Sequence, residues 1–184
     1  MKIPKPPKTI QSEIDLRPYA AASVANMFLN KSFLEENPIS PMKIQKLLYL
    51  AHGYHLCWED QPLIDEVFQA WKFGPVLSSI YFECRGFGHS GITSFLCDIN
   101  VNHENDYYVF DPNPAPIPSN QLVEDLVKFV WDSYKEYAPT VLSQWTHEKD
   151  GPWYRVTQGG TKILKNQEVP NRLIRDYFKR KLDE

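Results

Sequence analysis

The apolar and polar positions of the chain are most sharply patterned between Ser40 and Val76. Ile44, Leu47, Leu48, Ala51, Tyr54, His55 and Trp58 recur at spacings of three and four, the period of one helical face. Ser40 supplies a hydroxyl that accepts from the first turn, and Pro41 suits the first helical position because its missing N–H has no partner to lose. The Asp60-Gln61-Pro62 break closes the pattern. The spacing therefore predicts a helix over 41–59, buried along a wide stripe on one side.

The other elements follow from weaker patterns. Ala21, Val24, Ala25 and Phe28 predict a helix over 18–35, capped by Asp15 and ended by Asn37-Pro38. Residues 1–14 carry three Pro and three Lys and read as a flexible or extended lead-in. Residues 62–72 fit a short helix and an extended segment equally. Gly74-Pro75 is a punctuation point. A third helix is expected from Pro75 or Val76 to Gly86 or Gly88, burying Val76, Ile80 and Cys84. Residues 92–99 and 107–110 pattern as two strands of a small hairpin, turning through 102–106. Four Pro in 112–118 make an extended connector.

Ser119 is placed to cap a helix reaching Tyr137, with Leu122, Leu126, Phe129, Val130 and Tyr134 on one face. Pro139 opens a short helix carrying Leu142 and Trp145, ended by Asp150-Gly151-Pro152-Trp153. Gly159-Gly160 marks a loop. Pro170 opens a last helix with Leu173, Ile174, Tyr177 and Phe178 apolar. The fold class is mainly α (α+β): one compact helical domain over 15–184, with about six helices and a small β-hairpin.

Composition adds three points. A chain of 184 residues with 14% aromatics has enough apolar surface for one real core. A net charge of −3 and a pI near 6.0 argue against direct nucleic-acid binding, which calls for a basic excess or stripe. Cys57, Cys84 and Cys97 form no CxxC pair and read as reduced thiols. The polar N-terminus has no signal-peptide core, and no apolar run is long enough to span a bilayer. A soluble, cytoplasmic protein without a membrane partner is expected.

Each candidate for chemistry has a structural counterpart. His52, His55 and Glu59 lie on one helix, but there is no HExxH and His52 falls off the apolar stripe, so structural histidines are the preferred reading. One of the cysteines with His147 would make a nucleophile and base, yet nothing local to any cysteine supports it. His147-Glu148 near Asp150 makes a small acid–base cluster of a kind common on surfaces. Trp71, Phe73, Tyr81 and Phe82 resemble base-stacking residues, but few basic residues interleave with them, which favours packing. Arg172, Arg175, Lys179, Arg180 and Lys181 read as the solvated face of the last helix. No P-loop, GxGxxG or GxSxG occurs. No metal or cofactor is expected. The turn Trp71-Lys72-Phe73-Gly74-Pro75-Val76 is the hardest to dismiss, because glycine before proline permits a close backbone approach.

Taken in order, the motifs resemble a known family. Lys46-Leu47-Leu48-Tyr49-Leu50, then Ala70-Trp71-Lys72-Phe73-Gly74-Pro75-Val76, then Ile80-Tyr81, are similar to the Panacea domain of SocA-like and phage-associated antitoxins. Thr146-His147-Glu148 ahead of Pro152-Trp153 resembles that family's second signature, and Ile174 with Tyr177-Phe178 its C-terminal end. The resemblance covers roughly 20–180.

The resemblance implies a non-catalytic antitoxin that neutralises a cognate toxin, encoded by an adjacent gene, through direct protein–protein binding. It leaves three alternatives: an adaptor delivering the toxin to a ClpXP-type protease, a phage-encoded protein binding a host defence component, and a hydrolase or nuclease using His147 and Glu148. No N-terminal helix-turn-helix is evident, so autoregulation through DNA is not expected. The candidate partner-binding residues are Lys46, Tyr49, Trp71, Phe73, Gly74, Pro75, Tyr81, His147 and Trp153, each fitting either core or interface. Lys46, polar within an apolar helix, either pairs internally or faces a toxin. The two signatures predict that Trp71, Gly74 and Pro75 meet 145–153 in space.

Overall fold

The computed structural model describes residue 4 and residues 18–102 and 107–183, with only the backbone of 99–102 and 107–111. Helix α2 (Pro41–Glu59) is the axis of the fold. Ser40 caps it, accepting from Lys43 N at 3.4 Å, and Asp60 ends it in the left-handed conformation at φ 57°. Its burial exceeds the expected stripe: every residue from Lys43 to Leu56 is buried. The reason is tertiary. Helices α1 (Ala21–Leu34), α4 (Gln121–Tyr134), α5 (Pro139–Thr146) and α7 (Asn171–Asp183) all pack on α2, closing its polar side as well. The approach of α7 depends on Gly53, where an added Cβ would lie 2.3 Å from the Phe178 ring. Tyr54 of α2 and Tyr134 of α4 share a hydroxyl hydrogen bond at 2.8 Å inside the core.

Of the N-terminal expectations, the lead-in other than Pro4 and the Asp15 cap lie outside the described residues. Pro4 O accepts from the Tyr54 hydroxyl at 3.2 Å. Segment 62–72, ambiguous in the sequence, is extended. Tyr19 forms a parallel bridge with Ile64, and strand β1 (Gln69–Trp71) pairs antiparallel with β2 (Gly74–Val76). The far edge of β1 is covered by 167–169, with Ala70 N donating to Gln167 O at 2.7 Å and Val169 N to Phe68 O at 2.7 Å. The helix expected from Pro75 or Val76 is corrected: α3 spans Ser78–Cys84, because β2 uses 74–76 for pairing.

The second hairpin pairs β3 (Cys97–Asn102) with β4 (Tyr107–Pro114). It starts at Cys97 rather than 92, because Ile92 and Leu96 enter the core from a loop. Its tip, 103–106, lies outside the described residues. Asn26 of α1 holds this loop. Its amide donates to Leu96 O at 2.9 Å and Ala115 O at 2.8 Å, and its carbonyl accepts from Leu96 N at 2.8 Å. Replacing Asn26 by Ala leaves those buried backbone groups unpaired and should lower stability by about 2 kcal/mol, read as a shifted denaturant midpoint with unchanged slope.

Asn120, not Ser119, caps α4, and α4 ends at Tyr134 rather than Tyr137. Beyond that end Lys43 reaches across from α2 to donate to Lys135 O and, at 2.7 Å, to Tyr137 O. Seven α-helices occur among the described residues rather than six. The extra one, α6 (Pro152–Val156), forms at the turn expected only to end α5. The class is mainly α with small antiparallel strand pairs.

Candidate functional site

The turn between β1 and β2 lies over α2 and against α5 and α6, and each contact has a named partner. Ser143 of α5 donates to Phe73 O at 2.8 Å. Trp153 of α6 donates its indole N–H to Trp71 O at 2.8 Å. Lys46 of α2 donates to Pro75 O at 3.0 Å. Gln45, one position earlier, clamps Leu77 on both sides: it donates to Leu77 O at 3.0 Å and accepts from Leu77 N at 2.9 Å. Backbone groups that the short β1–β2 ladder leaves unpaired are thus met by side chains. Of the expected meeting with 145–153, Trp71 reaches Trp153 and Gly74 lies against Thr146, while Pro75 is held by Lys46 of α2.

Gly74 makes the close approach possible. Its φ is +102°, and a Cβ there would lie 2.3 Å from Thr146 Oγ1 and 2.7 Å from Lys46 Nζ. Thr146 is itself fixed, donating to Ser143 O at 2.6 Å.

Lys46 is 1% exposed, and among the described residues no carboxylate lies within ion-pair distance of its ammonium. Burial pulls its pKa down from 10.5 to about 7. His147 follows α5 and packs against Trp153, with ring centroids 3.9 Å apart and the ring planes inclined by 52°. Its Nε2 is buried without a hydrogen-bond partner. Burial lowers the His147 pKa first, and the nearby Lys46 charge lowers it further.

The candidate residues divide by exposure. Lys46, Tyr49, Gly74, Pro75 and Trp153 are buried, and Trp71 and His147 are partly so. Tyr49 serves the core, edge-on to Phe68, Trp145 and Phe178. Phe73 is 57% exposed, and Tyr81, whose ring meets Trp71 at 4.7 Å, is 43% exposed. Val141, two residues before the Ser143 that holds Phe73, is 44% exposed. Lys72 lies over the Phe73 ring at 5.5 Å.

The remaining chemical candidates have structural partners. His52 Nδ1 accepts from Ile64 N, so its Nε2 carries the proton and donates to Asn171 Oδ1 at 3.0 Å. Burial pulls its pKa to about 4. His55 Nδ1 donates to Gln61 O at 2.8 Å. Among the described residues no group of three or more His, Cys, Asp or Glu is placed to hold a metal. Burial pushes the Cys84 thiol up to about 12, away from a nucleophile's range. Glu148 accepts from Tyr177 and from Lys181, the latter at 3.1 Å. Burial raises its pKa, but those bonds outweigh it and leave it lowered. Among the described residues no helix is long and apolar enough to cross a membrane.

Sequence reasoning missed Gln45 and Ser143. Ser143 had a usable signal, since it lies three before Thr146 and both turn their hydroxyls inward. Gln45 had none, because its partner Leu77 is thirty-two residues away.

Comparison with known proteins accords with this arrangement. The family described as "Antitoxin SocA-like, Panacea domain" matches residues 44–154, which include Lys46, the β1–β2 turn, His147 and Trp153. Antitoxin SocA of Caulobacter vibrioides (strain NA1000 / CB15N) is 30% identical over 163 residues, covering 86% of this chain and 82% of its own length. No solved structure matches. The chain belongs to the SocA-like antitoxin family and carries its Panacea domain.

Proposed function

We propose that this protein is an antitoxin that neutralises a cognate toxin by binding it directly, through the face around the β1–β2 turn. The observation that carries the reading is the pairing of Phe73 and Tyr81, large and exposed, with a backbone fastened by Ser143, Trp153 and Lys46. Aromatic side chains on a rigid support lose little freedom on binding, which is what an interface anchor requires. Lys72 puts a cation at the rim of this surface. The likeness to Antitoxin SocA supports the role. The mechanism is binding without catalysis, in the cytoplasm, on a toxin encoded beside the antitoxin.

The test is co-expression with the adjacent gene. Phe73→Ala with Tyr81→Ala should abolish rescue and co-purification while costing only about 1–2 kcal/mol of stability, chiefly the lost Tyr81–Trp71 ring contact, so that the variant stays folded. Full rescue by the double variant would place the interface elsewhere. Occlusion leaves the toxin's half-life unchanged, whereas a half-life shortened by this chain and a protease together would indicate delivery for degradation.

A further inference from the structure

We propose that Lys46 and His147 form a recessed receptor for a carboxylate of the protein partner, an acidic side chain that enters beside His147 when the partner covers Phe73 and Tyr81. The proposal rests on the binding reading above and adds the chemistry of the contact.

Three observations converge. An ammonium has three donors, and Pro75 O is the one hydrogen bond that Lys46 makes among the described residues. It is buried without a counter-ion, an arrangement that costs stability and is typical of functional sites. Next, His147 Nε2 is buried and unpartnered, and His147 is close enough to Lys46 to feel its charge. A carboxylate has two oxygens, one for Lys46 Nζ and one for an Nε2–H, and the neutral Nε2 tautomer is sufficient as donor. Finally, the nearest carboxylate in sequence, Glu148, is engaged by Tyr177 and Lys181, so the chain's own acid does not fill the position.

The place is also suitable. Lys46 and Thr146 lie under Gly74, and Gly74 adjoins Phe73, the most exposed aromatic of the turn. Of Lys46 and His147, His147 is the partly exposed one, although its Nε2 is itself covered. An acidic side chain reaching Lys46 would convert a costly buried cation into a desolvated ion pair, formed only in the complex.

The probe is acetate, a carboxylate without a protein attached. With labelled lysine ammonium and histidine ring nitrogens in the full-length protein, acetate should shift the Lys46 Nζ and His147 signals together, saturably and on a millimolar scale. Chloride at equal ionic strength should not. Lys46→Met should abolish the His147 response, and Phe73→Ala with Tyr81→Ala should leave it intact. In the toxin assay Lys46→Met should weaken capture at least tenfold.

No saturable shift, an equal shift with chloride, or an unchanged His147 response in Lys46→Met would overturn the receptor. A response to inorganic phosphate but not to acetate would overturn the carboxylate. A normal acetate response in a protein that neutralises no toxin would overturn the antitoxin reading and the source of the carboxylate, while leaving the receptor standing. The two failures are therefore distinguishable.

Discussion

Gly74→Ala should destabilise the protein by about 3 kcal/mol, far more than the same change at an unconstrained glycine. Two costs combine. At φ +102° an L-residue occupies a region it rarely adopts, which costs roughly 1–3 kcal/mol. The new methyl would also lie 2.3 Å from Thr146 Oγ1 and 2.7 Å from Lys46 Nζ. Lys46 ends a flexible side chain and can withdraw, at the expense of its bond to Pro75 O. Thr146 is tied to Ser143 O and cannot yield as cheaply. The alternative is for the turn to lift, which would stretch the Ser143 and Trp153 hydrogen bonds to Phe73 O and Trp71 O.

Gly86→Ala is the control, because nothing lies within 4 Å of its Cβ position and its φ is unexceptional. Denaturant midpoints should separate the two variants clearly. Equal midpoints would show that the turn is not clamped as described. The same lifting should cost Gly74→Ala most of its capture of the toxin.

The elements legible in the sequence were those whose signals are local. Ser40 and Pro41 start α2, and Asp60 ends it, through bonds and conformations that involve only neighbours. The burial of its whole circumference was not legible, because α4, α5 and α7 arrive from more than sixty residues away. Segment 62–72 was ambiguous for the same reason. Its hydrogen bonds come from Tyr19, from 74–76 and from 167–169, and no local pattern announces them.

Pro75 misled because one residue type serves two purposes. Proline is favoured at the first position of a helix, and it is tolerated in a short edge strand. Here the strand prevails, since Pro75 O is needed by Lys46. The meeting of the turn with 145–153 was legible only through the order of the family motifs. Which aromatics lie under the surface and which above it was not legible at all: Trp71 and Phe73 are two apart and would share a face in a continuous strand, but β1 ends at Trp71 and the turn leaves Phe73 the more exposed.

Lys46→Met should produce a pH-dependent change in stability that reverses sign. The folded pKa of Lys46, about 7, lies below its ordinary value of 10.5. Between these values the unfolded chain binds more protons than the folded one, so this group makes stability rise with pH across that window. Below pH 7 the whole cost of burying the charge is present, on the order of 5 kcal/mol, and above 10.5 it has vanished. Methionine has a similar volume and carries no charge, but it leaves Pro75 O without its donor, at about 1–3 kcal/mol.

At pH 6 the variant should therefore be the more stable protein, and near pH 10 the less stable one. The difference between the two unfolding curves removes the tyrosines and Cys84, which titrate in both, and keeps Lys46 together with the change its charge makes to the His147 titration. Parallel curves would mean that Lys46 does not lose its proton in this range, as a lysine with a permanent counter-ion would not. A variant that gains stability at neutral pH and loses its partner is the signature of a residue that costs the fold and serves the interface. A purely structural lysine would lose stability and binding together.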